Sequence, residues 1–511
     1  MARARLTEVS ESESVSQGSL AAAAISKVAQ RYVFEPPRGN DPVVRLASPA
    51  ELYERFARVA PIPLGDRVES IDLDALGAAC ELIVEHSVQT SHPRFLNQNF
   101  AGPDPVAVAG DWLGAALNTT NATFEAAPVF TLLEDAVLRK LAAVAGMADH
   151  DQLPPGMFAP GGSSATLYAL QLARHRQNPD IVRQGATGER LVLFVSDAGH
   201  YAAVKSAALL GLGMDSVIKV ESDADGAMRI DALRQAITDE KAGGSVPFCV
   251  IATAGTTVTS AFDDLDLIAD VCAEHELWLH VDGCYGGSAL FSPSQRHRLD
   301  GIVRADSFVW NLHKMMGMTQ QCTALLVADP TQLGPCFSTG ADYIFQPDKL
   351  HGEFDSGDRH FQCARRVDAL KLWLAWKVHG DAGFAARIDH SVALADHARE
   401  QITERSPAFD TVVAGDFTNV IFRWVPEPFR DRPVESLSDA ERAELHAIAP
   451  AIKAQLQADG TAMLGFQPVH GVNGFRLLFM NPDVSASDID VTLTAIDAIG
   501  EQVWRNAHAS S

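Results

Sequence analysis

The feature that most constrains this fold is the regular alternation of short apolar segments with helix-like segments between residues 191 and 327. The apolar segments with the length of buried strands are 191–195, 216–220, 248–253, 277–281, 307–310 and 324–327. The segments with helical periodicity are 165–176, 202–210, 231–239 and 265–275. Strands that alternate with helices pair mostly in parallel, because each helix carries the chain back across the sheet. The sequence therefore predicts an α/β domain with a mostly parallel sheet.

The segments that flank this run lack its alternation. Residues 1–114 read as helices and loops, and the first ~20, which contain a Ser-Glu repeat, are expected to be disordered. We expect a large domain over 115–371, with a long helix around 367–378. Residues 372–511 carry further strand-like segments among helical ones, including 419–424 and 474–480, which indicates a small α+β domain.

Charge and hydropathy exclude several classes of partner. A net charge of −24 over 511 residues is unfavourable for binding nucleic acid. No apolar run approaches the roughly 20 residues that span a bilayer, and residues 1–17 lack the apolar core of a signal peptide. The seven cysteines include no C-x-x-C pair, which fits reduced thiols. We therefore expect a cytoplasmic protein that binds neither nucleic acid nor membrane.

Lys314 lies in an apolar run, 308–318, where an ammonium group is costly to bury. One explanation is covalent: a lysine amine condenses with an aldehyde cofactor, most often pyridoxal phosphate. The other is a lysine at a strand end whose amine reaches water. The neighbouring motifs favour the first explanation.

Asp282 and His200 each follow a predicted strand, at the edge where parallel sheets bind ligands. A carboxylate there can keep the ring nitrogen of pyridoxal phosphate protonated, because an adjacent anion favours the charged form. An imidazole there can stack on a cofactor ring. The alternatives are an aspartate that caps the next turn and a hydrogen-bonded core histidine.

Three other motifs suit anions or a cofactor's edge. Residues 161–164 (Gly-Gly-Ser-Ser) precede a helix and supply free amides and hydroxyls for a phosphate, although any helix N-terminus can have this composition. Residues 255–257 (Gly-Thr-Thr) follow a strand and either bind the cofactor or turn the chain. Arg476 lies in a late apolar strand and needs an anion, which is either a substrate carboxylate or a structural Asp or Glu.

An ordered series of segments extends this pattern over most of the chain. The segments are 92–98, 124–129, 160–163, 252–257, 280–282, 313–317, 321–322, 343–349, 355–358, 362–366 and 481–482. Together they resemble the group II pyridoxal-phosphate-dependent amino-acid decarboxylases, in particular the glutamate and cysteine-sulfinate branch. The resemblance runs from about residue 91 to residue 503. It implies a fold-type I, transferase-like enzyme with a seven-stranded sheet, working as a homodimer with shared active sites.

The resemblance also assigns residues to the cofactor, pyridoxal 5′-phosphate. They are Gly162, Ser163, Ser164, His200, Thr256, Asp282, Cys284, His313 and Lys314. Lys314 is expected to bind the aldehyde, Asp282 the ring nitrogen, and His200 the ring face. Ser163, Ser164 and His313 are expected to help hold the phosphate, and Thr256 to lie near the ring's oxygen edge.

The remaining assignments concern the substrate. Gln98 and Arg476 are expected to bind its α-carboxylate, and Tyr343, on a mobile loop, to protonate the α-carbon after CO₂ leaves. Asn121 and Ala122 are expected to line the side-chain pocket, where Ala122 is smaller than the aromatic residue of a strict glutamate enzyme. An acidic substrate leads: glutamate, aspartate or cysteine sulfinate. Diaminobutyrate or a non-standard amino acid remains an alternative.

The chain departs from the family pattern beside Asp282. Gly283 and Cys284 stand where the family usually has two alanines, so Cys284 is expected beneath the ring, where it can alter the ring's position. Two other functions stay open at this stage: a related enzyme diverted to oxidative deamination, and a homologue without catalytic activity. Tyr343 argues against the first, because proton delivery directs the reaction to the amine. The intact set of Lys314, Asp282, His200 and Arg476 argues against the second.

Overall fold

The computed structural model describes residues 11–65, 72–148, 150, 152–186, 188–341, 343–346 and 348–509, with the side chains of 11–17 outside the description. The helices are α1 Glu11–Phe34, α2 Pro49–Ala57, α3 Leu73–His86, α4 Pro105–Leu117, α5 Pro128–Ala145, α6 Gly162–Gln177, α7 Ile181–Gln184, α8 Ala202–Leu209, α9 Ile230–Ala242, α10 Leu265–His275, α11 Leu333–Phe337, α12 Asp368–Glu404, α13 Asp439–Ala458 and α14 Ala486–His508. The strands are β1 Phe95–Leu96, β2 Gly156–Ala159, β3 Leu191–Ser196, β4 Val217–Val220, β5 Val246–Thr253, β6 Trp278–Asp282, β7 Ser307–Asn311, β8 Thr323–Val327, β9 Phe409–Val413, β10 Asn419–Trp424, β11 Met463–Val469 and β12 Val472–Leu478.

Among the described residues, seven strands form the large sheet, in the order β2-β8-β7-β6-β5-β3-β4. Only β8 runs antiparallel to its neighbours, β2 and β7, and the other pairs are parallel. All residues of β3, β7 and β8 are buried, because helices cover both faces of the sheet. The predicted α/β class is confirmed, and the six predicted strands are present.

The carboxyl ends of several strands meet at one edge of this sheet. β5 and β6 are parallel, with Thr253 paired to Asp282, and β7 continues the parallel set. β2 has the same direction as β7, because both are antiparallel to β8. The turns after β2, β5, β6 and β7 therefore lie on the same side of the sheet, where α/β proteins bind ligands.

A second sheet lies in the C-terminal part, in the order β1-β11-β12-β10-β9. β1, from the N-terminal segment, pairs in parallel with β11, and the other pairs are antiparallel. The helices α13 and α14 pack against this sheet and bury a separate apolar core. This agrees with the predicted small α+β unit. The division into 1–114, 115–371 and 372–511 stays a prediction, and its second boundary falls inside α12.

The N-terminal expectation needs a correction. Disorder was expected over the first ~20 residues, but the chain is helical from Glu11 in α1. Alanines at 21–24 favour helix, and α1 packs against α3, which outweighs the polar composition. Residues 1–10 lie outside the described part of the chain. Within that part, the structure contains no helix with the length and hydropathy of a membrane span.

Candidate active site

The strand ends surround a cavity of about 150 Å³, which we call the Lys314 cavity. Its walls come from the turn after β2, the turn after β3, and the ends of β5, β6 and β7. The lining residues are Gly162, Ser163, Thr166, His200, Ala202, Thr253, Gly255, Thr257, Asp282, Cys284, Tyr285, Asn311 and Lys314. The structure thus brings Lys314, Asp282, His200, Ser163 and Cys284 together, although they are far apart in sequence.

Lys314 is in the tight turn that follows β7. Its backbone N–H donates to the Asn311 carbonyl (3.1 Å), and Gly317 N–H donates to the Lys314 carbonyl (3.1 Å). Met315 and Met316 are fully buried behind the turn, while the lysine side chain is half-buried on the cavity wall. Within the described residues, its amine has no hydrogen bond and no ion pair within 4 Å, so it is available for covalent attachment.

Asp282 supplies a negative charge to the cavity. Burial alone would raise the pKa of this carboxyl, but the charge of Lys314 and hydrogen bonding from Cys284 outweigh it and lower the pKa. The Cys284 N–H donates to Asp282 Oδ1 at 3.0 Å. Asp282 is therefore ionised at neutral pH, as a partner for a protonated ring nitrogen must be.

His200 is a neutral ring on the cavity wall. Burial, together with the charges of Lys314 and Lys205, lowers its pKa, although Asp282 acts in the opposite direction. The Ala202 N–H donates to His200 Nδ1 (3.2 Å), which leaves the proton on Nε2. The turn after β3 therefore presents an uncharged imidazole, suited to lie against an aromatic ring.

The N-terminus of α6 opens onto the same cavity. Its N-cap is Gly161, which has no side-chain atom that could accept a hydrogen bond, so the first amides of the helix lack a side-chain cap. Ser163 lines the cavity, whereas the Ser164 hydroxyl donates to the Pro160 carbonyl (3.3 Å). This combination of free amides and a hydroxyl suits a phosphate.

Gly162 and Cys284 are packed tightly in this wall. A Cβ on Gly162 would lie 2.5 Å from Cys284 Sγ and 2.9 Å from Asn311 Nδ2. Burial raises the pKa of the Cys284 thiol well above its usual value, and Asp282 adds to this. Cys284 is therefore a protonated thiol in contact with the first residue of α6.

Comparison with known proteins agrees with this arrangement. The model of the pyridoxal-dependent decarboxylase conserved domain matches residues 61–425. The chain belongs to the pyridoxal-dependent decarboxylase family. Among its relatives, human cysteine sulfinic acid decarboxylase is 45% identical over 429 residues, covering 83% of this chain and 85% of that protein. Acidic amino acid decarboxylase GADL1 of Bos taurus is 42% identical over 430 residues, covering 83% and 81%. The crystal structure of mouse CSAD in apo form matches with a TM-score of 0.87 and 41% identity, over 94% of this chain and 98% of that one.

This decarboxylase uses pyridoxal phosphate, and the Lys314 cavity fits it. The fit rests on an amine without a partner, an ionised Asp282 and the α6 N-terminus. It also rests on Thr253, whose buried hydroxyl finds no hydrogen-bond partner among the described residues although it lines the cavity. Such a hydroxyl is costly unless a ligand pairs with it. When bound, the cofactor supplies an aldehyde for attachment and an electron-withdrawing ring for decarboxylation.

Thr256 is not among the residues that line the Lys314 cavity, and its role at the ring's oxygen edge stays a prediction. Its hydroxyl is buried in the turn after β5, where it bonds to Thr259 Oγ1 (2.8 Å) and accepts from Ala261 N–H (3.0 Å). Thr253 and Thr257 line the cavity instead. Thr257 belongs to the same Gly-Thr-Thr motif as Thr256, whereas Thr253 is the last residue of β5. Only the fold shows which of these hydroxyls faces the ligand.

His313 and Arg476 lie outside the cavity lining. His313 Nδ1 is within 2.9 Å of the Cys322 carbonyl, and burial lowers its pKa to about 4. Arg476, on β12, donates to the backbone carbonyls of Thr257 (2.8 Å) and Asn97 (3.2 Å). No carboxylate lies within 4 Å of it in the described part of the chain, so the structural Asp or Glu is absent there. Gln98, beside Asn97, is exposed.

Asn121 and Ala122, predicted to line the side-chain pocket, are not among the described residues that line the Lys314 cavity. Asn121 is buried and donates to Glu134 (2.6 Å), and the Ala122 carbonyl accepts from Gly357 N–H (2.8 Å). Glu134 pairs in turn with Arg365 at 2.6 Å, in an ion pair whose side chains are 5% and 3% exposed. Tyr343 lies on the loop after α11 and is 81% exposed.

Proposed function

We propose that this pyridoxal-phosphate-dependent decarboxylase acts on an amino acid with an acidic side chain: cysteine sulfinate, aspartate or glutamate. The observation that carries the proposal is the Lys314 cavity, in a chain 45% identical to human cysteine sulfinic acid decarboxylase. The similarity to an acidic amino acid decarboxylase supports the same class of side chain. The products are CO₂ and the corresponding amine.

Lys314, Asp282 and His200 hold the reactive part of the cofactor in this proposal. The Lys314 amine binds the aldehyde, the Asp282 carboxylate keeps the ring nitrogen protonated, and His200 lies against the ring. The α6 N-terminus, with Ser163, receives the phosphate. Support comes from the ionised Asp282, the neutral His200 and the uncapped helix.

Arg476 and Gln98 bind the substrate's α-carboxylate in this proposal. The guanidinium is held between two backbone carbonyls, one of which belongs to the cavity residue Thr257. Burial lowers the pKa of Arg476, so an anion beside it is favourable. Binding the carboxylate at a fixed angle to the ring aligns the bond that breaks, and such orientation is worth several kcal/mol of barrier.

The proposal includes a homodimer whose sites are shared. Tyr343, Asn121 and Ala122 do not line the Lys314 cavity of their own chain, and Tyr343 is exposed. A second copy brings these residues over the cavity, where Tyr343 protonates the α-carbon and the 121–122 segment contacts the side chain.

All seven cysteines are free, which supports a reducing, cytoplasmic location.

A substrate panel tests the reaction. The protein with pyridoxal phosphate is assayed against cysteine sulfinate, aspartate, glutamate and 2,4-diaminobutyrate, for CO₂, amine, ammonia and peroxide. We expect CO₂ and amine from the acidic substrates. Lys314→Ala should lose both the turnover and the absorption band of lysine-bound cofactor, whereas Lys241→Ala, on the exposed face of α9, should keep them. Turnover of diaminobutyrate alone would refute the acidic class, and aldehyde with peroxide would refute simple decarboxylation.

Mixed dimers test the shared site. Lys314→Ala and Tyr343→Phe chains are each inactive alone in this proposal. If Tyr343 acts across the interface, a mixed dimer contains one site with both residues intact, and activity returns on mixing. If both residues act within one chain, every site in the mixture lacks one of them, and no activity returns.

A further inference from the structure

The turn that carries Lys314 is tied to two helices outside the cavity. Asp104 N–H donates to the Gly317 carbonyl at 2.8 Å, from the start of α4. Arg387, on α12, donates from Nη1 to the Met316 carbonyl at 3.2 Å. Both acceptors lie within three residues of Lys314, so these two bonds fix the backbone on its C-terminal side.

Arg387 also restricts the residue at position 317. Gly317 has φ +72°, in the left-handed region that favours glycine, and a Cβ built there would collide with the Arg387 guanidinium. The guanidinium therefore packs directly on the turn's backbone. Its side chain is only 10% exposed, so the contact is held in a buried setting.

Asp104 holds Arg387 in this position. Its carboxylate is 3.7 Å from Arg387 Nη1, 2.8 Å from His379 Nε2, and accepts the Val106 N–H at 2.9 Å as the cap of α4. The Asp104 side chain is 8% exposed, which makes it a buried anion with several partners. Burial lowers the pKa of Arg387, and the charge of Asp104 acts against this.

The two basic partners of Asp104 lie on opposite sides of a break in α12. The helix is interrupted at Gly380, with φ +61° and ψ −177°, just after His379 and before Arg387. Asp104 thus joins both parts of α12 to the lysine turn. We call Asp104, His379 and Arg387 the α12 clamp.

We propose that Arg387, held by Asp104, is a positioning residue that sets the orientation of Lys314 for attachment of the cofactor. The inference rests on the proposed role of Lys314 as the attachment residue. Without the guanidinium, the 315–317 backbone loses one hydrogen bond and its packing partner, and the lysine amine samples more orientations. Attachment and the reaction then slow, because misplacement of about 1 Å is sufficient to cost up to 100-fold in rate.

Reconstitution of the full-length apoprotein with pyridoxal phosphate tests this inference. The variants are Arg387→Met, which removes the guanidinium, and Arg387→Lys, which keeps the charge on a shorter group. Arg304→Met is the control, since Arg304 pairs with Asp266 and Asp270 on the surface, away from the cavity. The measurements are the rate at which the lysine-bound absorption band forms, the wavelength of that band, kcat, KM and the apoprotein Tm.

We expect Arg387→Met to form the band about tenfold more slowly and to lower kcat about tenfold, with KM within about twofold of the wild type. Arg387→Lys should recover part of the rate, and Arg304→Met should match the wild type. A purely structural role would lower Tm without changing the rate or wavelength of band formation in the folded apoprotein, and that result would overturn the inference. Lys314→Ala separates the two proposals. If Lys314→Ala still forms the absorption band, the assignment of Lys314 as the attachment residue is wrong. If Lys314→Ala loses the band but Arg387→Met behaves like the wild type, only the proposed role of Arg387 is refuted.

Discussion

The substitution Gly162→Ala probes the packing of the cofactor cavity directly. The new Cβ would lie 2.5 Å from Cys284 Sγ and 2.9 Å from Asn311 Nδ2, whereas ordinary contacts are about 3.5–4.0 Å. A shift of about 1 Å is therefore needed. The Asn311 side chain is held because its Oδ1 accepts from the Thr323 hydroxyl, and the Cys284 backbone is held by its bond to Asp282, so the Cys284 thiol is the group that must shift.

The cost of this overpacking is expected to appear as weaker cofactor binding. Extra methylenes in a packed core cost about 1–3 kcal/mol, which corresponds to a loss in affinity of about 5- to 150-fold. Gly162 and Cys284 both line the cavity, so side chains displaced by the new methyl group move into the space that the cofactor needs. The fold itself should survive, since α6 accepts alanine at this position.

Equilibrium binding of pyridoxal phosphate to four proteins measures this effect: the wild type, Gly162→Ala, Cys284→Ala and the double variant. Cys284→Ala removes the nearest contact, so the double variant should recover at least about threefold in affinity over Gly162→Ala. Recovery stays partial, because the Asn311 contact remains. Gly77→Ala, in α3 with nothing within 4 Å, is the control. Unchanged affinity in Gly162→Ala, or a strictly additive double variant, would refute the reasoning.

Three further predictions follow from buried groups. Glu134→Ala leaves Arg365 buried without its ion pair and should cost about 3–5 kcal/mol in chemical denaturation, with Glu134→Gln milder; a loss below about 1 kcal/mol would contradict this. Arg476→Lys should raise KM about tenfold without lowering the affinity for the cofactor, because a lysine cannot bind a carboxylate bidentately. Equal KM values would count against the assignment of Arg476 to the substrate's α-carboxylate. Burial lowers the pKa of His280 to about 4, so between pH 6.5 and 4 the unfolded chain takes up a proton that the folded chain refuses. The stability that neutral His280 contributes is present above pH 6.5, and the free energy of unfolding should fall by about 2 kcal/mol at pH 5. His280→Asn should reduce this dependence of stability on pH, and an unchanged pH profile in the variant would refute the prediction.

The large sheet was predictable because its strands are continuous apolar segments separated by helices. The missed strand, β2, has four residues, Gly156–Ala159, and no β-branched side chain, so its sequence carries little strand signal. It pairs at the edge of the sheet beside β8, which only the fold reveals. The expected count of seven strands came from the family resemblance and is confirmed.

The cavity residues were predictable to the extent that they end strands. Asp282 ends a strand and Lys314 and His200 follow strands of the same sheet, and parallel pairing brings these strand ends together. Thr253 was missed, because it ends an entirely apolar strand whose pattern does not show which face its last side chain occupies. The roles of these residues remain predictions.

The α12 clamp had no signal in the sequence. Asp104 and Arg387 are separated by most of the large domain, and each resembles an ordinary surface charge. The two α12 partners of Asp104 lie on either side of a break at Gly380, which is one glycine in a long helix. Side-chain contacts of this kind follow from packing rather than from local periodicity.

The pairing of β1 with β11 has a consequence for how the chain folds. Phe95 pairs with Met463, a separation of 463 − 95 = 368 residues, so the fifth strand of the C-terminal sheet joins it through a contact between residues very far apart in sequence. During synthesis, β1 (Phe95–Leu96) cannot pair with β11 until nearly the whole chain has been made. A fragment cut at residue 372 would leave the backbone of β11 unpaired at an open edge, where such strands recruit other chains. The C-terminal unit should therefore aggregate when it is expressed without the N-terminal segment.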